Sequence, residues 1–127
     1  MTQSPVVISL PQTRDAPAIA RAFVAEHLGR LAPSLVADAE LLVSELVTNA
    51  LLHGRPTITL QIRLSTSGMT LAVSDEGDPI PASRVKSHSS VPNGRGLLIV
   101  DAVAADWGVI PADPPPGKTV WFELRSA

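Results

Sequence analysis

A chain of 127 residues has room for one domain with a real core and is too short for two. Its 45% hydrophobic and 17% charged residues are a globular composition, and the absence of cysteine excludes disulfides, thiolate metal sites and thiol nucleophiles. A net charge of -2 with 3% aromatic residues offers neither a basic surface nor stacking platforms for nucleic acid.

The start MTQSPVVISLPQ lacks a basic leader region, and no apolar run reaches the roughly 20 residues that cross a bilayer, so a cytoplasmic soluble protein is expected. Val6 to Leu10 is a short β-branched run between Pro5 and Pro11, which suits an edge strand. Asp15 stands where a helix cap belongs, ahead of a segment with Pro17 in its first turn and Gly29 near its end. Ile19, Phe23, Val24 and Leu28 give that helix its buried face, and His27 reads as a surface or helix-end residue.

Pro33-Ser34 opens a second helix that runs to the Gly54-Arg55-Pro56 break. Residues four apart share a helix face, so Glu45, Asn49 and His53 form a polar stripe within ELLVSELVTNALLHG, while Leu42, Val43, Leu46 and Ala50 cover the sides that pack. Burying such a stripe against a core without partners is costly, whereas facing a cleft it suits a ligand. The Asn49 amide oxygen beside a carboxylate fits magnesium, a hard cation that keeps several waters and shares phosphate oxygens with a substrate. Glu45 is then free to take a proton from an attacking hydroxyl. The other reading of the stripe is the solvated face of an amphipathic helix.

From Thr57 the pattern becomes strict alternation, with Ile58, Leu60, Ile62 and Leu64 on one face. Thr66-Ser67-Gly68 makes a turn, and Met69, Leu71 and Val73 continue the alternation, predicting a β-hairpin. The second strand ends in Ser74-Asp75-Glu76-Gly77-Asp78-Pro79. The Pro- and Ser-rich segment up to Asn93 is a long loop for so small a domain, with His88 exposed inside it.

Asn93-Gly94-Arg95-Gly96 then feeds a helix in which Leu97, Val100, Val103 and Ala104 keep helical spacing until Trp107-Gly108. Unpaired N–H groups at such a start favour a phosphate, and Gly94 and Gly96 admit close approach. An ordinary loop-to-helix junction is the alternative, and Arg95 reads equally as a phosphate ligand or a surface residue. After Val109-Ile110, the run from Pro114 to Gly117 turns the chain into a last strand, where Val120, Phe122 and Leu124 alternate with Thr119, Trp121 and Glu123. The expected fold is α+β: a two-layer sandwich with three helices on one face of a mixed, mostly antiparallel sheet of about five strands.

In their order and context, ELLVSELVTNALLHG, the strand end SDEGDP, the turn NGRGLLIV and the strand GKTVWFEL resemble the four boxes of the histidine-kinase-like ATPase family. The likeness spans about Asp15 to Leu124 and points to the anti-sigma factor serine kinase branch. It implies the Bergerat ATP-binding fold, one domain over 1–127 with its core at about 15–124, an ATP lid at about 79–94, and ATP with magnesium as ligands. It carries the family's general base onto Glu45 and its metal-binding amide onto Asn49, in agreement with the reading of the residues alone. It makes Asp75 the acceptor for the adenine amino group, with Gly77 letting the base approach. Phosphate contacts fall to Gly94 and Gly96, with Arg95 and Leu97 in the same nucleotide-binding turn, and Thr119, after Gly117 and Lys118, would line the adenine pocket. Family members often carry a second glycine two residues after Gly77; here Asp78-Pro79 stiffens the lid's entrance and adds negative charge near the phosphates.

The function so implied is that of an anti-sigma factor with serine/threonine protein kinase activity, regulating transcription by transferring the ATP γ-phosphate to a small STAS-like antagonist. A sigma factor is the other implied partner, a homodimer the implied assembly, and neither nucleic acid nor membrane is contacted directly. Two alternatives stand beside it. Asp78-Pro79 motivates a nucleotide-dependent partner-switching module without turnover. The catalytic domain of a sensor histidine kinase is less favoured, because no dimerisation helix pair with a phospho-acceptor histidine precedes the domain.

Overall fold

The computed structural model describes residues 5–29, 31–77 and 95–125, with residues 95–98 described by their backbone only. The elements are β1 (Val6–Leu10), α1 (Ala16–Leu28), α2 (Pro33–His53), β2 (Ile58–Ser65), β3 (Gly68–Asp75), α3 (Arg95–Val103), β4 (Asp106–Pro111) and β5 (Lys118–Arg125). The five strands form one sheet in the order β1-β2-β3-β5-β4.

All four pairings are antiparallel, in keeping with the mostly antiparallel sheet expected. The cause is the insertion of β5: the crossover through α3 leaves β3 and β4 running in the same direction, but the last strand slips between them and pairs with both. β1 is an edge strand, as its flanking prolines predict.

Alternation decides which side of the sheet is covered. Ile58, Leu60 and Ile62 of β2, Met69, Leu71 and Val73 of β3, and Val120, Phe122 and Leu124 of β5 are all buried. They meet Phe23, Val24 and Leu28 of α1 and Leu42, Val43, Leu46, Val47 and Ala50 of α2, which recur at helical spacing. The opposite face carries Thr59, Gln61, Thr70, Thr119 and Glu123, all partly exposed.

Three boundaries differ from the sequence pattern. The hairpin turn is the two residues Thr66-Ser67, and Gly68 begins β3; a Cβ there would lie 2.0 Å from the Leu124 carbonyl oxygen, so only glycine fits. The third helix already includes Arg95 and Gly96 and stops at Val103, not at Trp107-Gly108. Trp107 and Gly108 belong to β4 because they pair with Phe122 and Trp121, and the bare Gly108 leaves room for the Trp121 indole. Asp15 does sit at the α1 cap position, yet its side chain makes no capping bond. Its carboxylate accepts the Thr13 hydroxyl instead, which holds the Asp15 carboxyl below its ordinary pKa.

Phe122 is fully buried in the middle of the core. Truncating it in Phe122→Ala is expected to cost about 3–5 kcal/mol of folding stability, read as a lowered urea midpoint at unchanged slope.

Candidate functional site

α2 positions the site. On one flank of the helix, the Ser44 hydroxyl accepts a hydrogen bond of 2.8 Å from the Arg21 guanidinium of α1. At about 100° per residue, Glu45 and Asn49 fall on the flank opposite the one that Ser44 turns to α1. Both are half-buried, and among the described residues neither has a hydrogen-bond partner. His53, the third member of the stripe, is exposed.

The helix ends at Gly54, whose N–H donates to the Ala50 carbonyl at 2.9 Å. Here the end of α2 meets the end of β3 at backbone distance. A Cβ on Gly54 would stand 2.6 Å from Cγ of Asp75, and one on Gly77 would stand 2.8 Å from Cα of Gly54. The Glu76 N–H donates to the Arg55 carbonyl at 3.0 Å, and the Thr57 N–H to Oε2 of Glu76 at 3.1 Å, tying the two chain turns together.

Asp75 lies at this junction with its side chain only 3% exposed. Its Oδ1 accepts the Gly77 N–H at 2.7 Å, so the residue and its turn hold each other in place. Lys118, its cross-strand neighbour, is equally buried and sets Nζ 2.9 Å from Oδ2 and 3.1 Å from Oδ1. A buried carboxylate is costly unless paired, and this ammonium supplies the pairing.

The Asp75–Lys118 pair was not anticipated. The signal was present in the alternation, because Val120, Phe122 and Leu124 face the helices and Lys118 shares their parity. Thr119, expected in the adenine pocket, has the other parity. Its hydroxyl lies 2.7 Å from that of Ser74 on the uncovered face, and the structure does not bring it to the Asp75 carboxylate. Gly54 was also missed as a site residue, since from sequence it marks only the end of a helix.

Arg95, Gly96 and Leu97 form the first turn of α3, beside α2. Gly94, the Asp78-Pro79 pair, His88 and the expected lid at 79–94 lie outside the described residues. Along α2, Asn49 precedes Gly54 by about 7.5 Å of helix rise and Glu45 precedes Asn49 by about 6 Å. A buried acceptor, an amide and a carboxylate are thus set out in series. Among the described residues no three His, Cys, Asp or Glu side chains cluster as a metal site.

The profile of the histidine kinase-like ATPase domain matches residues 10–124, and the chain belongs to that family. Membership implies an ATP-binding domain.

Among solved structures, the chain is similar to the RsbU and RsbW domains of Rv1364c from Mycobacterium tuberculosis, with 22% identity and a TM-score of 0.71, covering 97% of this chain and 32% of that one. It is similar to the histidine kinase domain of the blue-light activated histidine kinase from Erythrobacter litoralis EL346, with 19% identity and a TM-score of 0.59, covering 86% and 62%. The mycobacterial sensor histidine kinase MprB shares 20% identity at a TM-score of 0.56, with 96% of each chain covered. These likenesses establish the fold. No curated protein matches the sequence. Among the described residues, no helix is long and apolar enough to cross a membrane.

Removing one member of a buried ion pair strands the other. Lys118→Met is therefore expected to cost about 3–5 kcal/mol in urea denaturation, and the double variant Asp75→Leu, Lys118→Met is expected to recover most of that loss.

Proposed function

We propose that the chain binds ATP with magnesium along α2 and acts as a serine/threonine protein kinase in an anti-sigma switch, phosphorylating a small STAS-like antagonist. The observation that carries this reading is the alignment of three groups: Asp75 buried at the junction with Gly54 and Gly77, then Asn49, then Glu45, the last two half-buried without partners among the described residues.

In this reading Asp75 accepts a hydrogen from the adenine amino group, as an ionised carboxylate is suited to do. Asn49 offers its amide oxygen to the metal, which when bound neutralises charge between the phosphates. Gly94, Arg95, Gly96 and Leu97 are the residues proposed to contact the phosphate oxygens. Glu45 orients the acceptor hydroxyl and takes its proton as the hydroxyl oxygen bonds to the γ-phosphorus and the bond to the bridging oxygen of ADP breaks. The antagonist and the sigma factor as partners, and a homodimeric assembly, follow from the resemblance to the anti-sigma branch.

A second reading, a module that binds nucleotide without turning it over, has one structural observation in its favour. Both carboxylate oxygens of Asp75 are already engaged by Lys118, which raises the demand on an incoming base.

Calorimetric titration of ATP with and without magnesium, and transfer of labelled phosphate to a candidate antagonist, test the two. Asp75→Asn is expected to weaken ATP at least about tenfold under both metal conditions, and Asn49→Ala by a similar factor only when magnesium is present. Glu45→Ala is expected to slow phosphate transfer by about 10²–10⁴-fold. Tight ATP binding without transfer to any antagonist would exclude the kinase in favour of the passive module.

A further inference from the structure

The Asp75–Lys118 pair holds more hydrogen-bonding capacity than it uses. An ionised carboxylate has about four lone-pair sites. On Oδ1 two are taken, by the Gly77 N–H at 2.7 Å and by Nζ at 3.1 Å; on Oδ2 one is taken, by Nζ at 2.9 Å. An acceptor site therefore remains on Oδ2. An ammonium has three N–H donors, and contacts to the two oxygens occupy two of them. Among the described residues Nζ has no acceptor other than Asp75, so one donor remains. The result is a free acceptor and a free donor on groups 2.9 Å apart, both held by burial and by strand register.

That couple matches one edge of adenine. Its 6-amino group is a donor and the neighbouring ring nitrogen N1 is an acceptor, which is the edge by which proteins read an exposed base. Resting on the ATP reading given above, we propose that Lys118 is a specificity-determining residue: its Nζ donates to N1 of adenine while Asp75 accepts from the 6-amino group. Guanine places an acceptor at position 6 and a donor at position 1, so it reverses the pattern that the pair presents.

Stability does not by itself call for an ion pair at positions 75 and 118. A buried ion pair is weak evidence for stability, because apolar residues of similar volume commonly serve as well. Recognition of the base accounts for what stability does not. Thr119, turned to the uncovered face and engaged with Ser74, does not supply this donor.

The test uses 1-deaza-ATP, which keeps the amino group and replaces N1 by C–H, and purine riboside triphosphate, which keeps N1 and lacks the amino group. Wild-type protein is expected to bind 1-deaza-ATP about ten- to a hundredfold more weakly than ATP. In Lys118→Met the ATP affinity should fall to that of 1-deaza-ATP, closing the gap to within about twofold. If the variant loses affinity for both nucleotides by the same factor, Lys118 is only a structural partner of Asp75 and the proposal is overturned.

Because Lys118→Met threatens folding, a second measurement keeps the side chain intact. The chain has just two lysines, Lys86 and Lys118, so isotope-labelled lysine in Lys86→Arg gives a single ammonium resonance. That resonance should shift with ATP and stay in place with 1-deaza-ATP; equal shifts overturn the proposal. Failure of the two readings is distinguishable. If ATP binds, purine riboside triphosphate binds more weakly and 1-deaza-ATP binds equally well, the ATP reading stands and the role of Lys118 falls. If neither ATP nor its analogues bind, or GTP binds more tightly than ATP, both fall.

Discussion

Everything at the candidate site depends on how closely two backbones approach. The residue that caps the central helix, Gly54, and Gly77 in the turn after β3 are both glycines, and either Cβ would stand under 3 Å from the atoms opposite. With those side chains absent, the carboxylate of Asp75 is wedged between helix end, turn and neighbouring strand, with an N–H on one side and an ammonium on the other. Its orientation is therefore over-determined. The register of the sheet then sets everything else, since a slip of β5 by one residue would turn Lys118 away from Asp75.

Periodicity made most of the fold legible. The alternation from Ile58 to Leu64 and from Val120 to Leu124 located two strands, and the spacing of Leu42, Leu46 and Ala50 located the central helix with its packing side. It was less informative where two periods overlap. The segment Leu97 to Gly108 reads as one helix, because nothing local announces that Ala105 will donate its N–H to the Glu123 carbonyl and join the sheet. The order of the strands was hidden for a related reason: the placement of β5 between β3 and β4 is a tertiary choice made by the whole core.

The site was legible to a different degree. Glu45 and Asn49 stand out because polar groups one turn apart in an apolar helix are unusual, and the structure puts both on the flank away from α1. Asp75 stands out as a strand-end carboxylate before a glycine. Lys118 was passed over because a lysine beside a Pro-Gly turn looks like a solvated charge. Only its parity with Phe122 shows that it points inward. Thr119 was singled out by the family resemblance, and alternation places it on the uncovered face beside Ser74.

The position of β5 has a consequence for how the domain is made. The strand that supplies Val120, Phe122 and Leu124 to the interior, and the lysine to the site, is the last of the described elements and yet occupies an inner place in the sheet. During synthesis the preceding strands emerge with a gap between β3 and β4 that nothing local can close. Loss of the segment from Lys118 onward would therefore remove a keystone rather than trim an edge, and a prematurely stopped chain would expose the two unpaired strand borders most prone to aggregate.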